Sequence, residues 1–368
     1  MTDVAPTAAD DALPCDLLAL TADLVDRPSL SHEEGPLVDW LEQELTQLPW
    51  LQVTRVADNL VARTEQGHPR RVVLAGHTDT VPPNGNERAR IEGDVLWGLG
   101  SCDMKSGVAI MLALARSLPV TAIDVSYVFY AAEEVDAVHS GLGHLFRERP
   151  DLVAADVALL GEPSNGALEA GCQGTMRLLV TVGGERAHTA RPWMGRNAIH
   201  RLGHVLAIVE AYEPREPLIQ GCQFREALQA VKVSGGVAGN VVPDVASVAL
   251  NHRFAPDRSP AEAEAHIRAV LAPALDDGDT VEVVDVSGGA PPALDHPLVA
   301  ALVGRADLPV VAKLGWTDVA RFAEHGIPAA NFGPGDPTIA HTADERVERR
   351  MLEWCFRVQR ALLTQGLD

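Results

Sequence analysis

Val72-Val73-Leu74-Ala75-Gly76-His77-Thr78-Asp79 runs from an apolar, β-branched segment directly into a histidine and a carboxylate. The same pattern returns twice. Val125-Ser126-Tyr127-Val128-Phe129-Tyr130-Ala131-Ala132 ends in Glu133-Glu134, and Val157-Ala158-Leu159-Leu160-Gly161 ends in Glu162. Segments that are apolar on both faces read as central strands of a helix-covered, mostly parallel sheet. Open α/β sheets carry their sites at the carboxyl ends of such strands. The expected fold class is therefore α/β, with a site where these three segments end.

Two further segments complete an ordered set: Gly100-Ser101-Cys102-Asp103-Met104-Lys105-Ser106-Gly107 and, near the end, Ala340-His341-Thr342. Each piece has an ordinary reading when taken singly. His77-Thr78-Asp79 can be a strand end with a turn aspartate, and Asp103 in a Gly-rich loop can be a turn or cap residue. Adjacent Glu133 and Glu134 can be a solvated face, and His341 a surface or core histidine. Two carboxylates at the mouth of so apolar a strand are costly, however, unless a cation or proton neutralises them. Two histidines and several carboxylates in this order suit a site for two divalent cations.

A chain of 368 residues is long for one core, so two domains are expected. No stretch approaches the length of a membrane span. Met1 to Pro14 is polar and acidic, without the basic end and apolar core of a signal peptide. Five cysteines without framework spacing fit a reducing compartment, so a cytoplasmic location is expected. Cys102, beside Asp103, reads as a buried packing thiol. The net charge of −21 argues against nucleic acid and anionic membranes as partners.

Helices are expected over 16–26, 37–48, with a start signal at Ser31-His32-Glu33-Glu34, and 107–118. Short strands are expected over 51–55, 60–63 and 71–75. Near Gly174 the character changes: 176–182 alternates like an antiparallel strand, 197–211 is helical, and 230–237 and 247–254 are strands. A helix over 260–271 and a strand over 281–286 complete a β-α-β-β-α-β order, which matches a ferredoxin-like insert. The chain then returns to α/β character through 309–314, 329–331 and a final helix over 349–363. This divides it into residues 1–174, an inserted α+β domain over 175–287, and a second catalytic part over 288–368.

The five motif segments together resemble the M20 group of zinc-dependent amidohydrolases, over nearly the whole chain. Within that group the chain is most similar to desuccinylases of the actinobacterial type, on Glu169-Ala170-Gly171-Cys172-Gln173-Gly174-Thr175, Gly236-Val237-Ala238-Gly239-Asn240-Val241-Val242-Pro243-Asp244, Gly315-Trp316-Thr317-Asp318 and Asn331-Phe332-Gly333-Pro334-Gly335-Asp336-Pro337. The resemblance implies two Zn2+ per subunit, with Co2+ able to substitute. Asp103 would bridge the ions, His77 and Glu162 would complete one site, and Glu134 and His341 the other. Asp79 would accept the second imidazole N–H of His77 and fix its tautomer. A cis peptide is implied after Asp103. Glu133, pointing away from its neighbour, would be the general base of amide hydrolysis.

The resemblance further implies that the insert is a lid and dimer contact, through which the enzyme is a homodimer. His188 would reach the oxyanion of the neighbouring subunit's substrate, with Asn240 a second donor. Arg253 would pair with a carboxylate of an anionic acyl-amino-acid substrate. Thr317 and the backbone of Gly333 and Gly335 would form a nest for another carboxylate. The implied reaction converts N-succinyl-LL-2,6-diaminopimelate and water to succinate and LL-2,6-diaminopimelate. Acetylornithine deacetylase, aminoacylase or carboxypeptidase activity is the alternative within the fold, and a catalytically inactive scaffold the alternative outside it. One departure stands out: Cys172-Gln173-Gly174 occupies the place of an arginine-rich turn in desuccinylases of the enterobacterial type.

Overall fold

The computed structural model describes residues 13–367, so most of the Met1–Pro14 segment lies outside the described residues. The chain forms two compact units, Met1–Ala170 with Ala293–Val311 and Arg321–Asp368, and Gly171–Pro292 with Ala312–Ala320.

The first unit is organised by an eight-stranded sheet in the order Gln52–Val56, Asn59–Arg63, Asp124–Tyr130, Arg71–His77, Val157–Leu160, Ala329–Asn331, Leu168–Cys172, Val310–Lys313. The four central strands are mutually parallel, while the first two run antiparallel to their neighbours and Leu168–Cys172 antiparallel to Ala329–Asn331. The parallel strands are the ones whose sequences are apolar on both faces. Asp124–Tyr130 and Val157–Leu160 are buried at every position, and Arg71–His77 at all but the first. Helix Lys105–Ser117 is buried continuously from Lys105 through Ala115, so it is a core helix with no polar face of its own. Its approach to the sheet depends on glycine: a Cβ on Gly107 would lie 2.3 Å from the Gly161 carbonyl oxygen.

That helix starts immediately after the cis Asp103–Met104 peptide implied by the resemblance. The buried Lys105 ammonium donates to the carbonyls of Leu24 at 3.0 Å and Arg27 at 2.6 Å, joining the end of helix Leu17–Val25 to the Asp103 loop. Burial lowers its pKa to about 8. The start signal at Ser31–Glu34 is used differently from expectation. Helix Gly35–Thr46 has Glu34 at its N-cap without a side-chain cap bond. The Glu34 carboxylate instead accepts the Ala132 N–H at 3.0 Å.

The second unit holds a four-stranded antiparallel sheet in the order Ala227–Gly235, Val245–Phe254, Gly174–Gly183, Thr280–Ser287. Helices Ala198–Glu210 and Pro260–Leu271 complete the β-α-β-β-α-β order, with the first and third strands adjacent in the middle. Alternation makes this core. Met176, Leu178, Val180 and Val182 point inward to meet Leu202, Val205 and Ile267. Asn197 caps the first helix, and Ser259 with Glu262 forms a capping box on the second. The strand expected over 230–237 instead spans Ala227–Gly235, with a register shift between Ala230 and Lys232 that breaks the period-2 signal. Beyond Leu228 this edge strand is exposed, including Val231 at 63 % and Val233 at 53 %. Helices Pro297–Ala306 and Val319–Glu324 and a short hairpin at Leu218–Gln223 had no counterpart in the sequence reading. No helix among the described residues is long and apolar enough to cross a membrane.

Candidate metal centre

All five residues read as metal ligands belong to the first unit, and the parallel strands explain how they meet. Strand Arg71–His77 ends on His77, Asp124–Tyr130 leads to Glu133 and Glu134, and Val157–Leu160 leads to Glu162. Adjacent parallel strands end side by side, so side chains distant in sequence converge at one sheet edge.

The His77 imidazole is buried, and its Nδ1 lies 3.0 Å from the main-chain carbonyl oxygen of Asp79. A carbonyl only accepts, so Nδ1 carries a proton, and Nε2 is the nitrogen that can bind a cation once its own proton leaves. That Nε2 lies 3.1 Å from Asp103 Oδ1. The other Asp103 oxygen, Oδ2, lies 3.4 Å from His341 Nε2, which is itself 2.9 Å from Glu134 Oε1. Asp103 therefore turns one oxygen to each histidine.

Among the described residues, three overlapping groups have ligand atoms within 4.8 Å of one another: His77, Asp103 and Glu162; Asp103, Glu134 and His341; and His77, Glu133 and Glu134. Two of these share Asp103. Imidazole nitrogen mixed with carboxylate oxygen fits a borderline divalent cation such as zinc. The electrostatics of the protein alone agree. Burial disfavours the His77 imidazolium, yet Asp103 and Asp79 outweigh it and hold its pKa well above the usual value. Hydrogen bonds to Asp103 and Glu134 raise that of His341 to about 10. The site attracts positive charge to both histidines.

Asp79 has a wider role than orienting His77. Its carboxylate lies 3.5 Å from His77 Nδ1, further than the main-chain contact. It also accepts the N–H groups of Glu133 at 3.0 Å and Glu134 at 3.1 Å, and the Ser31 hydroxyl at 2.8 Å. Burial pushes the Asp79 carboxyl up, but hydrogen bonding and the charge of His77 prevail and bring it to about 2.

Glu133 departs from the expectation that it points away from Glu134. Both carboxylates reach the same cluster with His77. The alternation of a strand stops at Tyr130, and Ala132 then takes a left-handed conformation, φ 57°. Side chains beyond such a turn no longer diverge. Cys102 is a packing thiol. It is buried, its Sγ lies 3.1 Å from the Asp336 carbonyl, and burial raises its pKa far above the ordinary value.

The residues read as substrate contacts are distributed between the units. His188 and Asn240 lie in the second unit, both exposed, on segments joined by the Thr189 N–H to Asn240 carbonyl bond of 3.1 Å and a bridge between His188 and Val241. His188 Nδ1 accepts the Ala190 N–H at 3.0 Å, which puts the ring proton on Nε2 in the neutral form. Arg253 stands half-buried on strand Val245–Phe254, its pKa lowered by burial and by Arg177. Thr317 is buried in the second unit, whereas Gly333 and Gly335 are in the first. The Gly333 N–H donates to Ser164 Oγ at 3.1 Å, so it is already engaged. A Cβ at Gly333 would stand 2.3 Å from the Gly161 carbonyl oxygen, and the residue makes room for the strand end that leads to Glu162.

Three residues that the sequence did not mark as part of the site act on the ligand loops: Ser31 and Glu34, read there only as a helix start, and Glu345. Glu345 binds three main-chain N–H groups in the Gly100–Asp103 loop. Its only signal is its place four residues after His341.

A family model described as peptidase family M20/M25/M40 matches residues 73–365, which include every candidate ligand. The chain belongs to this peptidase family. Among curated relatives, a Mycobacterium tuberculosis protein named "Putative succinyl-diaminopimelate desuccinylase DapE" is 50 % identical over 335 residues, covering 90 % of this chain and 93 % of that protein. The succinyl-diaminopimelate desuccinylase of Corynebacterium glutamicum is 45 % identical over 341 residues, covering 90 % and 91 %. Among solved structures, the aminopeptidase PepT of Bacillus cereus shares the fold with a TM-score of 0.77 at 21 % identity, over 95 % of this chain and 97 % of that one. M20 membership implies a divalent metal, and the three donor groups are where this member can hold it.

Proposed function

We propose that this M20 hydrolase is a succinyl-diaminopimelate desuccinylase, cleaving N-succinyl-LL-2,6-diaminopimelate to succinate and LL-2,6-diaminopimelate in the cytoplasm. The observation that carries the hydrolytic reading is Asp103, whose two oxygens face His77 and His341. A carboxylate divided in this way suits a site for two divalent ions. Two Zn2+ per subunit are the proposed cofactors, with Co2+ as a substitute. His77, Asp103 and Glu162 would hold one, and Asp103, Glu134 and His341 the other. When bound, the ions would supply Lewis acidity and would lower the pKa of water to about 7.

The protein residues supply the rest. Glu133 accepts a proton from the attacking water and returns it to the leaving amine. Asp79 holds His77 Nδ1 and the Glu133–Glu134 main chain. His188 and Asn240 donate hydrogen bonds to the developing oxyanion, and Arg253 pairs with a substrate carboxylate. Thr317 and Gly335 are further candidates for carboxylate contact, while Gly333 contributes shape. The second unit is proposed to pair two subunits through its exposed edge strand Ala227–Gly235, bringing His188 to the partner's site. The substrate choice is supported by the relatives at 45–50 % identity, which are named as succinyl-diaminopimelate desuccinylases.

The test is hydrolysis by zinc-reconstituted protein of the succinylated substrate beside its acetyl analogue and a dipeptide. Preference for the succinyl amide is expected. Faster turnover of the acetyl amide or the dipeptide would move the protein to the deacylase or peptidase branch of the family.

A further inference from the structure

Glu345 is a buried acid, only 1 % exposed, which belongs to none of the candidate metal-ligand groups. Its carboxylate faces backbone. Oε2 accepts the Gly100 N–H at 3.0 Å, and Oε1 accepts the N–H groups of Cys102 at 2.9 Å and Asp103 at 3.0 Å. These belong to the loop that presents Asp103. The main chain of Glu345 is tied on both sides as well: its carbonyl accepts the Gly98 N–H at 3.1 Å, and its N–H donates to the Thr342 carbonyl at 3.3 Å. Thr342 directly follows His341. One residue is thereby bonded to both segments that supply Asp103 and His341, although these lie far apart in sequence.

We propose that Glu345 is a positioning residue for metal capture: it clasps the Gly100–Asp103 loop to the His341 turn, so that Asp103 Oδ2 and His341 Nε2 face each other before a cation arrives. This rests on the two-zinc reading of the site. The chemistry of the acceptor explains the choice of residue. An ionised carboxylate only accepts and offers about four lone-pair directions, so it satisfies three converging N–H groups without conflict. A glutamine there would keep one oxygen and turn its NH2 against at least one of the three donors. Residues that orient metal ligands by such contacts commonly change affinity by ~10–100-fold when replaced.

The experiment compares full-length wild type with Glu345→Gln and Glu345→Ala after metal removal. Zinc affinity is measured by chelator competition, the Co2+ derivative by its absorption spectrum, and kcat and KM separately. Glu345→Gln is expected to weaken zinc binding by ~10-fold or more, to alter the cobalt spectrum, and to lower kcat with little change in KM. Glu345→Ala is expected to lose more, with Gln rescuing part of the deficit. Wild-type zinc affinity and cobalt spectrum in Glu345→Gln would overturn the clasp while leaving the two-metal site intact. Absence of zinc binding by the wild type would instead overturn the two-metal reading, and the clasp with it. Hydrogen exchange of the metal-free wild type decides the matter even if neither variant folds. The Gly100, Cys102 and Asp103 amides are expected to stay protected without metal, and rapid exchange there would overturn the proposal.

Discussion

Asp79 Oδ1 accepts the main-chain N–H of Glu133 at 3.0 Å. The residue that backs His77 is thereby bonded to the turn carrying the proposed general base, and a change at Asp79 reaches metal affinity and proton transfer together. Asp79→Asn leaves one acceptor oxygen for the three donors that now share two, Ser31 Oγ and the N–H groups of Glu133 and Glu134. Zinc affinity is expected to fall ~10–100-fold, and kcat of the zinc-saturated variant is expected to stay depressed. Chelator competition and steady-state kinetics at saturating zinc check the two effects separately. Full recovery of kcat at high zinc would confine Asp79 to the histidine.

Glu133→Ala is expected to retain both metals while turnover drops by at least about 10²-fold, the usual share of general acid–base catalysis. Metal analysis beside kcat is the check. Because the Glu133 carboxylate reaches the cluster of His77 and Glu134, the competing outcome is specific. Metal loss in proportion to activity would make Glu133 a ligand.

If His188 serves the partner's site, Glu133→Ala and His188→Ala proteins should complement when mixed under conditions of subunit exchange. Random exchange makes about half the dimers mixed, each with one site containing both intact groups. Recovery toward roughly a quarter of wild-type activity is expected if the oxyanion donor acts by positioned electrostatics. Verified exchange with no recovery would restrict His188 to its own subunit or remove it from catalysis.

Asp279 gives a stability prediction in the second unit. Its Oδ1 accepts from Arg201 and from the Gly183 N–H, both at 2.9 Å, and Oδ2 accepts the Asp276 N–H at 2.8 Å. Burial opposes ionisation, yet these bonds lower the carboxyl from 3.8 to about 2. A folded-state pKa below the unfolded one stabilises the fold above about pH 4, and the effect fades as pH falls toward 2. Asp279→Asn should therefore cost about 2 kcal/mol at pH 7. Denaturant unfolding of both proteins at pH 7 and pH 3 should show a smaller difference at the lower pH. A constant difference would assign the loss to shape.

The central strands and candidate ligands were legible because chemistry and pattern coincide there. Residues 72–75 and 125–130 are apolar on both faces, and a histidine or carboxylate follows at once. Glu133 was misdirected because strand alternation was carried past Tyr130 into a turn where Ala132 is left-handed. The engagement of the Gly333 N–H was hidden, since Ser164 lies 169 positions away in the chain. Glu345 was hidden for another reason. An acid just before a short strand rich in charge looks solvated, and only the folded loop shows that its partners are backbone amides. The edge strand at Ala227–Gly235 lost its clear period at the bulge after Ala230.

The segment Gly171–Pro292 supplies most of the second unit and contains none of the five candidate metal ligands. Loops there can drift, lengthen or be exchanged with those of a relative while the metal-holding residues stay untouched. Whatever that stretch recognises can then change at its own pace, because one contiguous run of gene can be rewritten without altering any of the five candidate ligands.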